Sequence, residues 1–67
     1  MSAFEELVHR VNNLLGTIEI QAELARSDDS LDAHRTALRY ITESAEKTRR
    51  ELRALLAARP RPAAGDA

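Results

Sequence analysis

Apolar residues recur at three- and four-residue steps along two long stretches of this chain, with a short polar segment between them. In the first stretch Phe4, Val11 and Ile18 follow a heptad spacing, and in the second Leu31 and Leu38 do the same. Because an α-helix turns once every 3.6 residues, positions with these spacings share one helical face. The pattern predicts two long amphipathic helices rather than strands.

The segment Ser27-Asp28-Asp29-Ser30 is the internal turn signal, because its side chains can end one helix and cap the next. Helices joined by so short a turn lie antiparallel. The predicted fold class is therefore all-α, an antiparallel two-helix hairpin. Its predicted parts are a hairpin domain over residues 1–58, with helix one over about 2–26, the turn over 27–30 and helix two over about 31–58, followed by a flexible tail over 59–67.

The helix ends carry signals of their own. Ser2 followed by Glu5 predicts a capping box at the start of helix one. Either Asp29 or Ser30 is expected to cap helix two, and Pro60 cannot continue that helix.

The apolar stripe of each predicted helix is wider than one partner helix can cover, since Val8, Leu15 and Ala22 extend the rows of helix one. A chain of 67 residues buries little apolar surface alone, and without cysteine it has no disulfide to compensate. We therefore expect the hairpin to homodimerise into a four-helix bundle.

Composition narrows the classes of ligand and partner. The formal net charge of −1 gives no basic excess of the kind that indicates nucleic acid, and no apolar run approaches the ~20 residues that span a membrane. Two histidines without cysteine indicate no metal site, nothing indicates a cofactor, and His34 on the apolar side of helix two is assigned no chemistry. Acidic Glu5 and Glu6 stand where a signal peptide carries positive charge, so the expected location is cytoplasmic.

The segment His9-Arg10-Val11-Asn12-Asn13 carries the candidate chemistry. His9 falls one position off the apolar rows, so its ring is expected to face solvent, and Asn13 follows one turn later on the same face. A histidine is partly neutral at physiological pH, and a neutral ring nitrogen can attack phosphorus or act as a base. From the spacing alone, a solvated surface histidine is the simpler explanation.

This segment and the apolar pattern of helix two resemble the dimerisation and histidine-phosphotransfer domain of two-component sensor histidine kinases. The resemblance implies that His9 is the phosphoacceptor and that Asn13 is the polar residue that can position water in a phosphatase reaction. Arg10 stands where the commonest subfamily has an acidic residue, and it is similar to the subfamilies whose box begins His-Arg. The implied partners are a response-regulator receiver domain and a histidine kinase. Autonomous kinase activity is not expected, because the ATP-binding domain of such kinases is absent from the 67 residues.

A turn near Asp28 and Asp29 predicts that His9 lies level with Thr48 and the arginines that follow it. The candidates for binding phosphate or a partner are Arg10, Arg49, Arg50 and Arg53. Guanidinium donors fit phosphate and carboxylate oxygens, although an ordinary charged face explains each arginine as well.

The predicted function is histidine phosphotransfer, in which His9 exchanges a phosphoryl group with a response-regulator aspartate. The alternative is a non-catalytic adaptor or dimerisation protein that binds a kinase or a regulator, with or without phosphatase activity towards the regulator. A third hypothesis is a small structural coiled coil.

Overall fold

Two helices make up the part of the chain that the computed structural model describes, residues 2–58. Helix α1 spans Ala3–Ser27 and helix α2 spans Leu31–Ala58, and they pack side by side as an antiparallel hairpin. The expected all-α hairpin is confirmed. Helix α2 has the limits predicted from the sequence, whereas α1 begins and ends one residue later than predicted. The tail expected at 59–67 lies outside the described residues.

The start of α1 is the capping box that the sequence predicts. Ser2 Oγ accepts a hydrogen bond from the Glu5 amide at 3.0 Å, and Glu5 Oε1 accepts one from the Ser2 amide at 3.3 Å. These bonds satisfy amides that have no partner within the first turn of a helix.

Three residues, 28–30, connect the helices and are organised by hydrogen bonds to Ser30. Ser30 Oγ accepts from the Ala33 amide at 3.1 Å and so caps α2, while the Ser30 amide donates to Asp28 Oδ1 at 2.8 Å. Hydrogen bonds from the backbone and side chain of Ser30 lower the pKa of Asp28, with a smaller contribution from the charge of His34. The turn therefore depends on local polar contacts rather than on glycine.

His34 joins the first turn of α2 to the last turn of α1. Its Nε2 lies 2.9 Å from the carbonyl oxygen of Ala25, which can only accept, so Nε2 carries the proton. Carbonyls in the last turn of a helix have no intrahelical partner. This histidine therefore has a structural contact that holds the hairpin end together.

The interface between the helices is narrow and buries few side chains fully. Within residues 2–58, only Ala37 and Thr48 are buried, and both belong to α2. Large apolar residues are instead half-buried, as Leu14 and Ile18 are, or exposed, as Phe4 and Leu38 are. A single hairpin therefore covers only part of the apolar surface that its helices carry.

The two edges of the hairpin differ in chemistry. One edge, here called the apolar side, contains at the open end of the hairpin a cavity of about 360 Å³ lined by Ala3, Phe4, Leu7, Leu52, Leu55 and Leu56. Periodicity places Val8, Leu15 and Leu38 on this same edge. The opposite edge, here called the polar side, is lined by Arg10, Asn13, Thr17, Ser44, Lys47 and Glu51.

Contacts across the hairpin show which residues of α2 lie near the His9 segment. A turn centred on residues 28–29 predicts that His9 lies level with Thr48 and the arginines that follow it. Its neighbour Arg10 contacts Glu51 and lines the same cavity as Thr48. Helical side chains lean towards the N-terminus of their own helix. In an antiparallel pair, α1 side chains therefore lean towards the open end of the hairpin and α2 side chains lean towards the turn. As a result, a side chain of α1 contacts a residue of α2 that comes later in the sequence than the residue level with it.

Neither helix, over the described residues, has an apolar stretch long enough to cross a bilayer.

We expect Ser30→Ala to lower the free energy of unfolding by about 1 kcal/mol, because α2 loses its N-cap. Ser27→Ala is the matched control, since the Ser27 hydroxyl caps no amide and donates back to the carbonyls of Glu23 at 2.7 Å and Leu24 at 3.3 Å. Its expected effect lies within roughly 0.5 kcal/mol. Urea unfolding at one protein concentration measures both, and equal losses in the two variants would contradict the capping role.

Candidate functional site

His9 and Asn13 lie beside one another on the exposed surface of α1. Asn13 Nδ2 is 3.4 Å from His9 Nε2, one helical turn away. An amide nitrogen of this kind only donates, so Nε2 is the acceptor in this contact. The helix therefore presents an unprotonated ring nitrogen at its surface with a hydrogen-bond donor next to it.

The Arg10 guanidinium is held between two carboxylates. Nη1 donates to Glu51 Oε2 at 2.8 Å, and Nη2 donates to Glu6 Oε1 at 3.1 Å. Within the described part of the chain, Arg10 to Glu51 is the one ion pair that joins the two helices. The arginine that the sequence offers as a phosphate ligand thus ties α1 to α2 at the level of His9.

A polar cavity of about 80 Å³ opens between the helices next to Asn13. It is lined by Arg10, Asn13, Leu14, Thr17, Ser44, Lys47, Thr48 and Glu51. The cavity adjoins the His9–Asn13 pair through the Asn13 side chain. His9 itself is not among the residues that line it.

The other three candidate arginines are placed differently. Arg49, Arg50 and Arg53 are all exposed on α2, and the residues around the cavity do not include them. At this level α2 turns Thr48 and Glu51 towards α1 instead. The structure thus brings His9, Arg10 and Asn13 together on α1, and the three exposed arginines of α2 are not part of this cluster.

Sequence reasoning missed Lys47, which lines the cavity beside Asn13. The missing information was which side of α2 borders the cavity, because the predicted level brings Lys47 as near to His9 as the arginines that follow Thr48. The hydrophobic pattern marks the apolar stripe of a helix but does not say which flank of that stripe meets the partner helix at the site.

Sequence reasoning also missed apolar residues away from the main stripe. Ile20 is 61% exposed, Leu24 is 55% exposed and Tyr40 is 48% exposed. Ile20 lies two helical turns after Asn13, and Leu24 lies three helical turns after it. Both residues therefore continue the row of Asn13 towards the connection between the helices. This spacing was the available signal, and it places apolar surface next to the candidate site.

Within residues 2–58, no group of three or more His, Cys, Asp or Glu side chains is arranged to hold a metal ion.

We expect a double-mutant cycle with Arg10→Gln and Glu51→Gln to give a coupling of about 0.5–1 kcal/mol that falls at high salt. The Arg10 and Glu51 side chains are 34% and 26% exposed, so solvent screens the pair only in part. Arg26 and Glu23, at 2.9 Å and 72% exposed, provide a control cycle with a smaller coupling. Equal couplings in urea unfolding would contradict the role of Arg10 as the link between helices.

Comparison of the chain with protein-family models, with curated proteins and with solved structures finds no match. The resemblance of the His9 segment to the dimerisation and histidine-phosphotransfer domain stays a prediction.

Proposed function

We propose that this protein is a histidine phosphotransfer module, in which His9 accepts a phosphoryl group and exchanges it with an aspartate of a response-regulator receiver domain. The observation that carries the proposal is the exposed His9–Asn13 pair, with 3.4 Å between Asn13 Nδ2 and His9 Nε2. A neutral ring nitrogen at a helix surface is accessible to a partner protein and can form a bond to phosphorus.

The proposed cycle has two displacements at phosphorus. First, His9 Nε2 attacks the phosphorus of a phosphorylated donor, an N–P bond forms, the bond to the donor breaks, and the Nδ1 proton passes to water. Next, an aspartate oxygen of the receiver attacks, the N–P bond breaks and Nδ1 takes a proton from water. Phosphoryl transfer depends mainly on positioning and on stabilising the charge of the phosphoryl oxygens.

Asn13 has two consecutive roles in this proposal. Its amide holds Nε2 of the free ring and must leave that lone pair before the attack. Once the N–P bond exists, the same amide can donate to a phosphoryl oxygen. With the phosphoryl group on the partner aspartate, Asn13 can instead orient a water molecule for a phosphatase reaction.

The partner is proposed to bind along the polar side, from His9 towards the turn. Ile20, Leu24 and Tyr40 supply exposed apolar area there, and polar residues of the turn lie near Leu24. Interfaces of this kind combine an apolar centre with a polar rim. The same surface could bind a kinase or a regulator without phosphate, which is the observation that favours an adaptor as the second candidate.

A homodimeric four-helix bundle is part of the proposal. Phe4 is 72% exposed, Leu38 is 63% exposed and Leu56 is 60% exposed, all on the apolar side of the hairpin. A second copy of this face would bury them, whereas a lone hairpin leaves them in water. His9 would remain accessible in such a dimer because it lies away from the apolar side.

We expect His9→Gln to abolish acid-labile phosphate when the protein is incubated with a small phosphoryl donor, phosphoramidate. Helicity should be unchanged, since replacing this exposed side chain costs within roughly 0.5 kcal/mol. His34→Gln is the control that retains the phosphate. Phosphorus NMR and circular dichroism measure the two properties.

The comparison also separates the candidate functions. Equal phosphate in wild type and His9→Gln would contradict His9 as the acceptor. No phosphate in either, together with retained binding to a receiver domain or a kinase, would favour the adaptor.

For the dimer, we expect sedimentation at micromolar concentration to give twice the 7.5 kDa mass of the chain. Leu38→Gln should weaken association, because it introduces a polar group into the proposed interface. Ile20→Gln is the matched control, since Ile20 is equally exposed, at 61%, but lies on the other side. A folded wild-type monomer at this concentration would contradict the bundle.

A further inference from the structure

Lysine occurs once in this chain. The remaining nine basic residues are arginine, and the single lysine, Lys47, lines the polar cavity that adjoins Asn13. Asn13 and Thr17 of α1 line the same cavity. Lys47 thus places the only side-chain ammonium group of the sequence at the cavity beside Asn13.

The charges around the cavity leave a clear role for Lys47. Arg10 is the other cation of the lining, and its guanidinium already contacts Glu6 and Glu51. Arg10 and these two carboxylates together carry a charge of about −1 at neutral pH. A phosphoryl group on His9 would add further negative charge at this place. Lys47 supplies the charge that offsets it.

We infer that Lys47 binds the oxygens of the phosphoryl group carried by His9, together with the amide of Asn13. The inference rests on the proposed function, and it names a binding residue on α2 that is none of Arg49, Arg50 and Arg53. An ammonium on a four-carbon stem is a mobile point charge. It can therefore reach a phosphoryl group at the mouth of the cavity without disturbing the pairs of Arg10.

The first test uses phosphoramidate as the donor and follows phosphohistidine by phosphorus NMR. In this reaction the P–N bond of the donor breaks, the N–P bond to His9 forms, and ammonia leaves. We expect Lys47→Met to slow the reaction about tenfold, because a charge-assisted hydrogen bond to the transferring group is lost. Lys47→Arg should recover most of the rate, since it keeps the positive charge.

Arg35→Met is the control for a simple loss of positive charge. Arg35 is exposed on α2, near the turn and far from the cavity. We expect this variant to react at the wild-type rate. Circular dichroism of each variant separates a change in rate from a loss of folding.

The second test observes Lys47 directly. Reductive methylation with ¹³C-formaldehyde keeps the charge of the ammonium and labels one lysine, whose signal is identified by its absence from Lys47→Arg. We expect this signal to move when wild type is phosphorylated. It should stay in place in His9→Gln treated in the same way.

The possible outcomes distinguish the two claims. If wild type acquires no phosphate on His9, the proposed function and this inference both fail. If His9 is phosphorylated at the same rate in Lys47→Met and wild type, and the lysine signal does not move, only the inference is overturned. A slower Lys47→Met reaction together with a moved lysine signal supports both.

Discussion

The narrow contact between the two helices is the constraint on which the rest of this structure depends. The described residues bury only Ala37 and Thr48, while Leu38 and Phe4 stay well over half exposed. Burial of apolar surface is the main favourable term in folding, and small chains have little of it. A hairpin built in this way leaves its apolar side in water, and the proposed dimer would bury that side while leaving the polar side accessible.

Arg10 links that architecture to the site. By contacting Glu6 on its own helix and Glu51 on the other, it joins α1 to α2 where His9 stands. The same contacts hold its guanidinium against two carboxylates. Lys47 is the other cation that lines the cavity beside Asn13.

Several parts of the fold follow from the sequence for local reasons. The capping box of Ser2 and Glu5 and the cap at Ser30 depend on neighbours within a few residues, so a chain segment carries the whole signal. The contact of Asn13 with His9 is equally local, since positions four apart share a helical face. The partner of Arg10 was not predictable in this way, because it comes from the other helix.

The sequence by itself determined the two helices, their ends, the turn between them, and the neighbouring positions of His9 and Asn13. These features arise from hydrogen bonds and periodicity within one segment. Only the tertiary structure decided the register of the hairpin, and with it the pairing of Arg10 with Glu51 and the place of Lys47 beside the cavity. The register depends on how side chains lean and interlock between the helices. A continuous stripe of apolar residues does not specify this register, because it can pack against the other helix at several positions along its length.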